Sequence, residues 1–572
     1  MSRGLGDVYK RQALVITIIV MLILVGVTVS AAINGKLFDT AKKAAKDTEK
    51  AKQEELDYME DAKNKIDEIL GVTTDDKVEE IISKPVEGET EVYAILFSDG
   101  TMELRKEKPT ETENVVFKTD ESFSNKLFKS QEEIPWISYV DSIKEVKIAD
   151  EIVPRTTTRW FQGLKNLTTI SNIENLKTDK VVSMALMFSG CTSLEEVDVS
   201  KFKTQEVIDM CAMFQNCSKI KSLAVNNWNT SKVIDMSYMF NKCSALTNID
   251  VSKFNTSKVK STRSMFQLCS SLTSLNVSSF NTKNVEDMQY MFRECGKLAN
   301  LNLKNFDTRK VTNMYGMFYK CNSLENVDTT NFDTANVTNM DFMFNECGRL
   351  TNLDLKNFNT SKVINMEGMF QWCSSLTSLN VSSFDTANVT DMSFMFNKCE
   401  KLSSLDLKNF NTSNVTSMYA MFQYCRGLTY LNVSSFDTRN VEDMGYMFKF
   451  CENLTELDIS NFKTPKVESF YWMFQSCEKI GQLDLSGFQT SKIQYFAGMF
   501  SGCSILKTTI VIDVSSIDST PGYAYNQMLS EAATAEGAQI TIRYKASQKG
   551  IIDKMVETKS ANSNIVLEVV AE

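Results

Sequence analysis

The fold of this chain is decided by a segment that recurs with small changes, and residues 285–306 show it in full: VEDMQYMFRECGKLANLNLKNF. The cysteine that closes its Met-Phe-x-x-Cys step returns at a fixed interval, at Cys191, Cys217, Cys243 and so on to Cys503. A fixed period of this length is typical of supersecondary units that bury a continuous core only against their neighbours. The sequence therefore predicts a solenoid of about 13 repeats over residues 179–506.

The apolar spacing within one repeat predicts a helix and a strand. Between residues 285 and 295 the apolar positions are 3, 3, 1 and 3 residues apart, which places them on one face of a helix. Leu301 and Leu303 then alternate with polar neighbours, which is the period of a strand. We therefore expect an α/β solenoid, a right-handed coil in which each repeat contains one strand and one short helix.

Composition narrows the functional classes. The chain has 572 residues, a net charge of −10 and no histidine. The lack of histidine removes histidine general bases and imidazole metal ligands, and no repeat resembles a catalytic constellation. Lysine and arginine are scattered along the chain, which argues against a nucleic-acid partner. We expect a protein that is not an enzyme and that uses no cofactor or metal.

The periodic cysteines can be interpreted in two ways. They either form disulfides or bind metal, or they are unpaired residues of the core. One cysteine per repeat, never in a C-x-x-C pair, is not a zinc pattern. Packed helices lie about 8 to 10 Å apart, whereas a disulfide needs Cα atoms within about 7 Å. Each cysteine also follows a Met-Phe pair on the apolar face. We therefore interpret the cysteines and methionines as unpaired core residues.

The N-terminal region contains a candidate membrane segment. The stretch from Ala13 to Ile33 has 21 residues without charge, long enough to cross a bilayer as a transmembrane or signal-anchor helix. The alternative is a signal peptide cleaved near Ala31, where small residues lie together. Residues 34–71 are highly charged and predict a stalk helix. Residues 1–12 resemble translated adapter sequence, a suspect start from which we draw no function.

Two flanking regions are predicted to cover the ends of the solenoid, because an uncovered end would expose its core. Residues 72–178 form a small β-containing N-terminal cap, in which Asp99 and Gly100 between two apolar runs predict a hairpin. Residues 507–572 form a C-terminal cap. In it we expect strands over residues 509–514, 539–544 and 565–570 and a helix over residues 523–535.

One candidate surface is formed by the residue before each Met-Phe pair. This residue alternates between large and small from one repeat to the next, so the sequence repeats fully only after two 26-residue repeats. On the helix interpretation this position points away from the core, on the convex side. Each ring either covers the small residue of the next coil or belongs to a ridge for a partner or for self-association. The ridge residues are Tyr238, Tyr290, Phe342, Phe394, Tyr446 and Trp472.

A second candidate surface is the strand face, expected on the concave side. Its outward positions are small and polar, and lysines enter in alternate coils, about every 10 Å at the usual strand spacing. This pattern is either a solubilising product of duplication or a groove for a glycan or an extended peptide. The candidate binding residues are Lys304, Lys356, Lys408, Asp354, Asp406 and Asn380.

The recurring Leu-x-x-Leu-x-Leu-x-x-Phe pattern, followed by Asp/Asn-Thr, resembles leucine-rich repeats. The resemblance is strongest to the BspA-like bacterial surface family, whose repeats also occur in mycoplasma lipoproteins, and it covers residues 181–506. It implies an adhesin-like surface protein that binds a protein or glycan. Ordinary leucine-rich repeats use an asparagine between coils, but here Phe306 holds that place. We expect the invariant threonine, such as Thr308, to satisfy the backbone instead.

The apolar segment from Ala13 to Val29 resembles the N-terminal helix of type IV pilin-like proteins from Gram-positive bacteria, over about 25 residues. The glycine and glutamate of that family are not at their expected places. The resemblance implies an alternative function as a minor pilin-like subunit that displays the solenoid on a filament or secretion apparatus. We expect the protein at the surface of a Gram-positive-type bacterium, anchored by one N-terminal helix, or secreted if cleaved near Ala31.

Overall fold

A computed structural model of the protein describes residues 74–517 and 524–571. The predicted membrane segment of residues 13–33 and the predicted stalk of residues 34–71 lie outside these described residues. Within them, no helix is both long enough and apolar enough to cross a membrane. Residues from Thr74 onward form one compact unit.

The N-terminal part of this unit is a helix followed by a mixed sheet. The elements are α1 (Thr74–Ile82), β1 (Tyr93–Phe97), β2 (Thr101–Arg105), β3 (Val115–Lys118), β4 (Glu145–Ile148) and β5 (Thr169–Ser171). The strand order is β3-β1-β2-β4-β5. β1 and β2 are antiparallel around Asp99 and Gly100, as the sequence predicted. The pairs β2–β4 and β4–β5 are parallel, so the sheet takes up the parallel direction of the repeats that follow.

The predicted helix in each repeat is wrong, and with it the α/β class. Between residues 181 and 503 the described structure contains no α-helix. The segment from residue 289 to 294 is a run of turns instead. Within it, Tyr290 has φ of +57° and Glu294 has φ of +60°. A right-handed helix cannot pass through residues in this left-handed conformation.

The backbone hydrogen bonds give the physical reason. The N–H groups of residues 288, 290, 292 and 294 donate to carbonyl oxygens of the next coil, at residues 313, 315, 317 and 319, over 2.7 to 3.2 Å. An α-helix would need the same N–H groups for carbonyls four residues earlier. The N–H groups between them close turns within the coil, as from Met291 to the Met288 carbonyl at 3.2 Å. Turns of three residues bury the side chains that a helix of this spacing would bury.

Short parallel strands occupy the other predicted position. β6 (Asn300–Leu301) pairs with β7 (Asn326–Val327), and β8 (Ser404–Asp406) pairs with β9 (Tyr430–Asn432), in each case between adjacent coils. A second ladder of single bridges joins equivalent residues of every coil from Ser183 to Tyr495. The single bridges therefore link every coil to the next, and the strand pairs link some of the coils on a second face. The right-handed sense of the coil stays a prediction.

The core runs without interruption from Val92 to Met555. Its centre is a column of stacked rings, in which Phe292 lies 6.1 Å from Phe266 and 5.8 Å from Phe318. A second column joins Phe280 to its counterpart in the next coil, Phe306, at 6.5 Å. Because each ring packs on its own counterpart, the coils must stay in register. This requirement explains why the phenylalanines recur so regularly.

The cysteines are core residues, as predicted. None of the fourteen forms a disulfide, and the thirteen periodic ones are buried. Burial raises the pKa of the Cys321 thiol to about 12. Each periodic thiol also donates to a carbonyl of the preceding coil, as Cys295 Sγ does to Phe266 O at 3.1 Å. The thiol therefore supplies a weak hydrogen bond between coils in addition to its volume.

The invariant threonine has the predicted role. The buried Thr334 hydroxyl donates to the Asn359 carbonyl at 2.9 Å and accepts from the Asn359 N–H at 2.8 Å. The donated bond recurs in every coil from Thr204 to Thr490, at 2.6 to 3.0 Å. One side chain thus satisfies two backbone groups that neither ladder reaches.

The C-terminal region ends in a parallel sheet of β10 (Lys507–Val511), β11 (Gln539–Lys545) and β12 (Ile565–Val570), in that order. A helix, α2 (Lys549–Val556), connects the last two strands. The helix predicted over residues 523–535 is wrong. Residues 524–530 form turns that accept hydrogen bonds from the last repeat, as Met528 O does from Phe500 N–H at 3.0 Å. This segment therefore extends the turn ladder by one coil.

The threonine contact can be tested by Thr334→Val, which keeps the shape and removes the hydroxyl. We expect the free energy of unfolding to fall by about 1 to 3 kcal/mol, because both backbone groups of Asn359 lose their buried partner. Urea denaturation measures this change, and faster hydrogen exchange of the Asn359 amide locates it. The matched control is Thr338→Val, which removes an exposed hydroxyl bound to Thr312 O. Equal effects in both variants would contradict the assignment.

Candidate functional site

Two of the three lysines predicted to line a groove on the strand face are paired within their own coils. Lys356 Nζ lies 2.8 Å from Asp354 Oδ2, and Lys408 Nζ lies 3.1 Å from Asp406 Oδ2. These pairs are exposed, so each contributes little to stability. Pairing also reduces the positive charge that these lysines offer a ligand. Lys304 is exposed on the same face.

The acidic and amide residues of this face have a structural role, because their side chains accept hydrogen bonds from nearby backbone N–H groups. Asp354 Oδ1 accepts the Lys356 N–H at 3.1 Å, and Asn380 Oδ1 accepts the Ser382 N–H at 3.0 Å. Side-chain and backbone hydrogen bonds from Lys356 lower the pKa of Asp354. These are Asx turns, which end the strand and suit Asp and Asn alike. The sequence analysis missed this role, although Asp-to-Asn exchange along the column could have indicated it.

The structure brings three of the predicted strand-face residues to one shallow cleft of about 290 Å³. Asn380, Asp406 and Lys408 line it. Tyr430, with 51% of its surface exposed, pairs in register with the cleft residue Ser404. Lys304, Lys356 and Asp354 do not line this cleft. The strand face therefore offers a polar depression next to an exposed ring.

The rings of the predicted ridge lie on the small residues of the next coil. A Cβ atom on Gly316 would come within 2.7 Å of the Tyr290 ring, and one on Gly368 within 2.6 Å of the Phe342 ring. Trp472 covers Gly498 in the same way. The alternation of large and small residues is therefore a packing pattern between coils. Tyr238 is buried, and the other ridge rings, including Phe394 and Tyr446, are half-buried.

Every ridge residue has a left-handed backbone, with φ between +53° and +60°. This conformation costs a residue other than glycine about 1 to 2 kcal/mol. Rings from the position just before the ridge extend it between coils. Tyr419 lies 5.2 Å from Phe394 and 5.4 Å from Tyr446, both edge to face. The sequence analysis missed these rings because it followed a single column.

A second left-handed column, also missed, is the residue immediately before each periodic cysteine. Four successive coils place Trp372, Lys398, Tyr424 and Phe450 there, each with positive φ. Lys398 Nζ lies 3.3 Å from the centre of the Trp372 ring and 5.0 Å from that of Tyr424. The Tyr424 and Phe450 rings stack at 4.7 Å. Reading the sequence down this column would have revealed the cluster.

Lys449 joins this column to the ridge. Its Nζ lies 5.2 Å from the Phe450 ring centre, 4.8 Å from that of Tyr446 and 5.0 Å from that of Trp472. Burial lowers the pKa of Lys449, and burial is also the main cause that lowers the pKa of Lys398. We call Trp372, Lys398, Tyr424, Lys449 and Phe450 the aromatic–lysine patch.

Two carboxyl groups, the buried Asp341 and the half-buried Glu367, lie in successive coils one residue before the ridge. Asp341 Oδ1 accepts the Glu367 N–H at 2.7 Å. Burial raises the pKa of Asp341 from its ordinary 3.8 to about 7, and the charges of Glu367 and Asp391 add to this effect. Burial also raises the pKa of Glu367 from 4.5 to about 7, with a further contribution from Asp391. Both groups therefore change charge near neutral pH.

The ring-on-glycine packing can be tested by Gly368→Ala. We expect a loss of about 1 to 3 kcal/mol in the free energy of unfolding, because the new methyl group meets the Phe342 ring. Gly537→Ala is the matched control, since Gly537 also has a positive φ, of +78°, and a Cβ there meets nothing within 4 Å. The double variant Phe342→Ala/Gly368→Ala should show non-additive losses in urea denaturation. Additive losses would mean that the two residues do not share one contact.

The carboxyl pair predicts a stability that falls as the pH rises. The unfolded groups ionise near pH 4, whereas the folded groups keep their protons up to about pH 7. Protonation therefore favours folding below pH 4, and this contribution is lost between about pH 4 and pH 7. We expect Asp341→Asn/Glu367→Gln to flatten the dependence of the urea midpoint on pH in this window.

The matched control for this pH dependence is Asp307→Asn. A side-chain hydrogen bond from Arg309 lowers the pKa of Asp307, so its contribution has the opposite sign and is lost on acidification. An unchanged pH profile in the double variant would show that Asp341 and Glu367 titrate at ordinary values in the folded protein.

Comparisons with known proteins show what the chain is similar to. No curated protein matches it. A crystal structure of a leucine-rich repeat protein from Eubacterium ventriosum is similar, with 15% identity, a TM-score of 0.29, and coverage of 65% of this chain and 89% of that chain. The family described as Mycoplasma protein of unknown function, DUF285, matches residues 155–224, 213–329, 263–370, 348–432 and 425–541. These segments cover more than half of the chain, which therefore belongs to that family.

Proposed function

We propose that this protein is a macromolecular binding protein of the cell surface, adhesin-like, which presents its solenoid to a protein or glycan ligand. The observation that carries the proposal is the exposure of large aromatic side chains on a mostly polar repeat surface. Tyr430 is 51% exposed beside the strand-face cleft, and Trp372 is 44% exposed on the turn side of the coils. Exposed rings of this kind are enriched where proteins bind their partners.

The difference between interior and outward positions within each coil supports a binding role. The interior positions are fixed by stacking, as at Phe292, and by hydrogen bonding, as at Thr334. The outward positions are not constrained in this way, so Tyr430 can stand where the preceding coil has Ser404. A repeat scaffold of this type offers a long surface whose side chains vary without loss of the core.

The proposed location rests on the sequence before Thr74. The uncharged stretch of residues 13–33 is long enough for one membrane anchor, and cleavage near Ala31 would release the protein instead. We propose the surface of a Gram-positive-type bacterium. The net charge of −10 disfavours a nucleic-acid ligand.

A second candidate function is that of a minor pilin-like subunit. The observation that favours it is the resemblance of residues 13–29 to the N-terminal helix of Gram-positive type IV pilin-like proteins. In this role the solenoid would be displayed on a filament or secretion apparatus. Co-purification of the full chain with sheared filaments would favour this function, and recovery in the membrane fraction alone would favour the simple anchor.

The binding proposal is tested with intact cells that produce the full-length chain. Added protease should remove the solenoid from the cell surface, and the cells should bind at least one member of a panel of glycans and host matrix proteins. We expect Tyr430→Ser to weaken that binding by about tenfold or more, because a central aromatic contact contributes about 2 kcal/mol. The equally large Tyr495, 42% exposed at another position of the coil, supplies the control Tyr495→Ser.

Two outcomes would contradict the proposal. A solenoid that intact cells protect from protease is not displayed. Equal binding by the Tyr430→Ser and Tyr495→Ser variants would show that the strand-face ring is not part of the binding surface.

A further inference from the structure

Coil stacking does not require the rings of the aromatic–lysine patch. The same left-handed column holds Gly190, Asn216 and Ser476 in other coils, with φ between +55° and +80°. Glycine and asparagine adopt this conformation readily, whereas a bulky side chain costs about 1 to 2 kcal/mol. The column also holds longer side chains in other coils, namely Lys242, Leu268, Glu294, Lys320 and Glu346. The left-handed backbone therefore recurs in every repeat, and the run of rings at Trp372, Tyr424 and Phe450 is what distinguishes the patch.

The two lysines of the patch lack the acidic partners that other lysines have. Among residues 74–517 and 524–571, no carboxylate oxygen lies within 4.0 Å of the ammonium group of Lys398 or Lys449. Lys320 occupies the same column three coils earlier, and its Nζ lies 3.8 Å from Glu346 Oε1. Arg426, which also contacts the patch rings, is bound to Glu452 at 3.0 Å. Lys398 and Lys449 are therefore the ammonium groups of the patch without an ion pair to any described residue, although the negative charge of Glu400 acts on Lys398 from a longer distance.

The arrangement of the rings adds to the positive potential. Tyr424 and Phe450 turn their faces toward each other with an angle of 20° between the planes, and Lys398 covers one face of Trp372. What the stacked rings present to solvent is therefore mainly their edges. Aromatic edges carry the positive end of the ring quadrupole. Ring edges and ammonium groups together form a surface that favours an anionic ligand with apolar parts.

The spacing of the patch favours a linear ligand with widely spaced charges. Lys398 and Lys449 lie two coils apart, which corresponds to about 10 Å at the usual strand spacing. An extended acidic peptide places carboxylates about 7 Å apart on one face and has nothing apolar to cover Trp372. A nucleic acid needs many cationic contacts to its phosphates, and this patch has two lysines. A polysaccharide with one carboxylate in every second sugar satisfies both the spacing and the apolar contact.

We propose that the aromatic–lysine patch binds such an acidic polysaccharide, with sugar carboxylates on Lys398 and Lys449 and the sugar rings lying along the exposed edges of Trp372 and Tyr424. The inference rests on the proposed binding function and names the ligand class for one surface of the solenoid. It places this ligand on the turn side of the coils, away from the strand-face cleft.

The experiment measures binding of the full-length protein to hyaluronate, which carries one carboxylate per disaccharide. Hyaluronate whose carboxylates have been reduced to alcohols is the ligand control. We expect the reduced polymer to bind at least about tenfold more weakly. The variant Lys398→Gln/Lys449→Gln should lose at least about tenfold in affinity, and Trp372→Leu should also weaken binding. Lys320→Gln, in the same column but outside the patch, should stay within about twofold.

Each variant must unfold at the same urea midpoint as the parent protein, which shows that it is folded. If Trp372→Leu lowers this midpoint, the comparison between Lys398→Gln/Lys449→Gln and Lys320→Gln decides the test. No binding of hyaluronate, or equal binding by the parent and the Lys398→Gln/Lys449→Gln variant, would overturn the proposal. Tighter binding of polyglutamate or single-stranded DNA than of hyaluronate would also overturn it, in favour of an acidic protein or a nucleic acid.

The outcome is separable from that of the proposed surface function. A displayed protein that binds a ligand through Tyr430 but not hyaluronate refutes only the present inference. A protein that binds hyaluronate in solution but is not displayed on cells refutes only the surface location.

Discussion

The structure depends on one backbone constraint: alternate N–H groups of each turn segment donate to carbonyls of the next coil, as Tyr290 N–H does to Tyr315 O. This ladder holds each turn segment in register with the next one, and it continues into residues 524–530 although the last step spans more residues than the steps between repeats. It also forces the residue before each Met-Phe pair and the residue before each cysteine into a left-handed conformation. Backbone groups that do not take part in this ladder bond to the threonine hydroxyl instead, as the N–H and carbonyl groups of Asn359 do to Thr334.

Because the ladder and the stacked phenylalanines stabilise every coil, the side chains on the surface can vary without loss of the fold. The extent of this variation differs between the surfaces. Most strand-face positions carry Asx turns or ion pairs within one coil, as Asp354 and Lys356 do. Between Trp372 and Phe450, however, the residues before the cysteines are three rings and one lysine, where other coils have glycine, asparagine, serine or other side chains. The candidate binding surfaces are therefore departures from the repeat rather than parts of it.

Particular residues show how far sequence reasoning reached. The unpaired, buried state of Cys295 and the bridging role of Thr334 could be predicted, because their invariance at a fixed place left few physical explanations. The helix was wrong because apolar spacings of three and four residues are shared by helices and by successive turns. Asp406 looked like a ligand-binding residue, yet it accepts the N–H of Lys408 and ends a strand. Lys398 escaped notice because its neighbours in space belong to other coils and lie a full repeat away in sequence.

The sequence by itself determined the period of the repeat and the set of buried residues, including the periodic cysteines. Each of these follows from which side chains are apolar and how often they return. Only the tertiary structure decided where the backbone hydrogen bonds go, which residues become left-handed, and which lysines, such as Lys356 and Lys398, have a carboxylate beside them. The physical reason is that these features depend on the adjacent coil. The sequence of a single repeat does not show which carbonyl or carboxylate oxygens of the adjacent coil will accept hydrogen bonds from its N–H and ammonium groups.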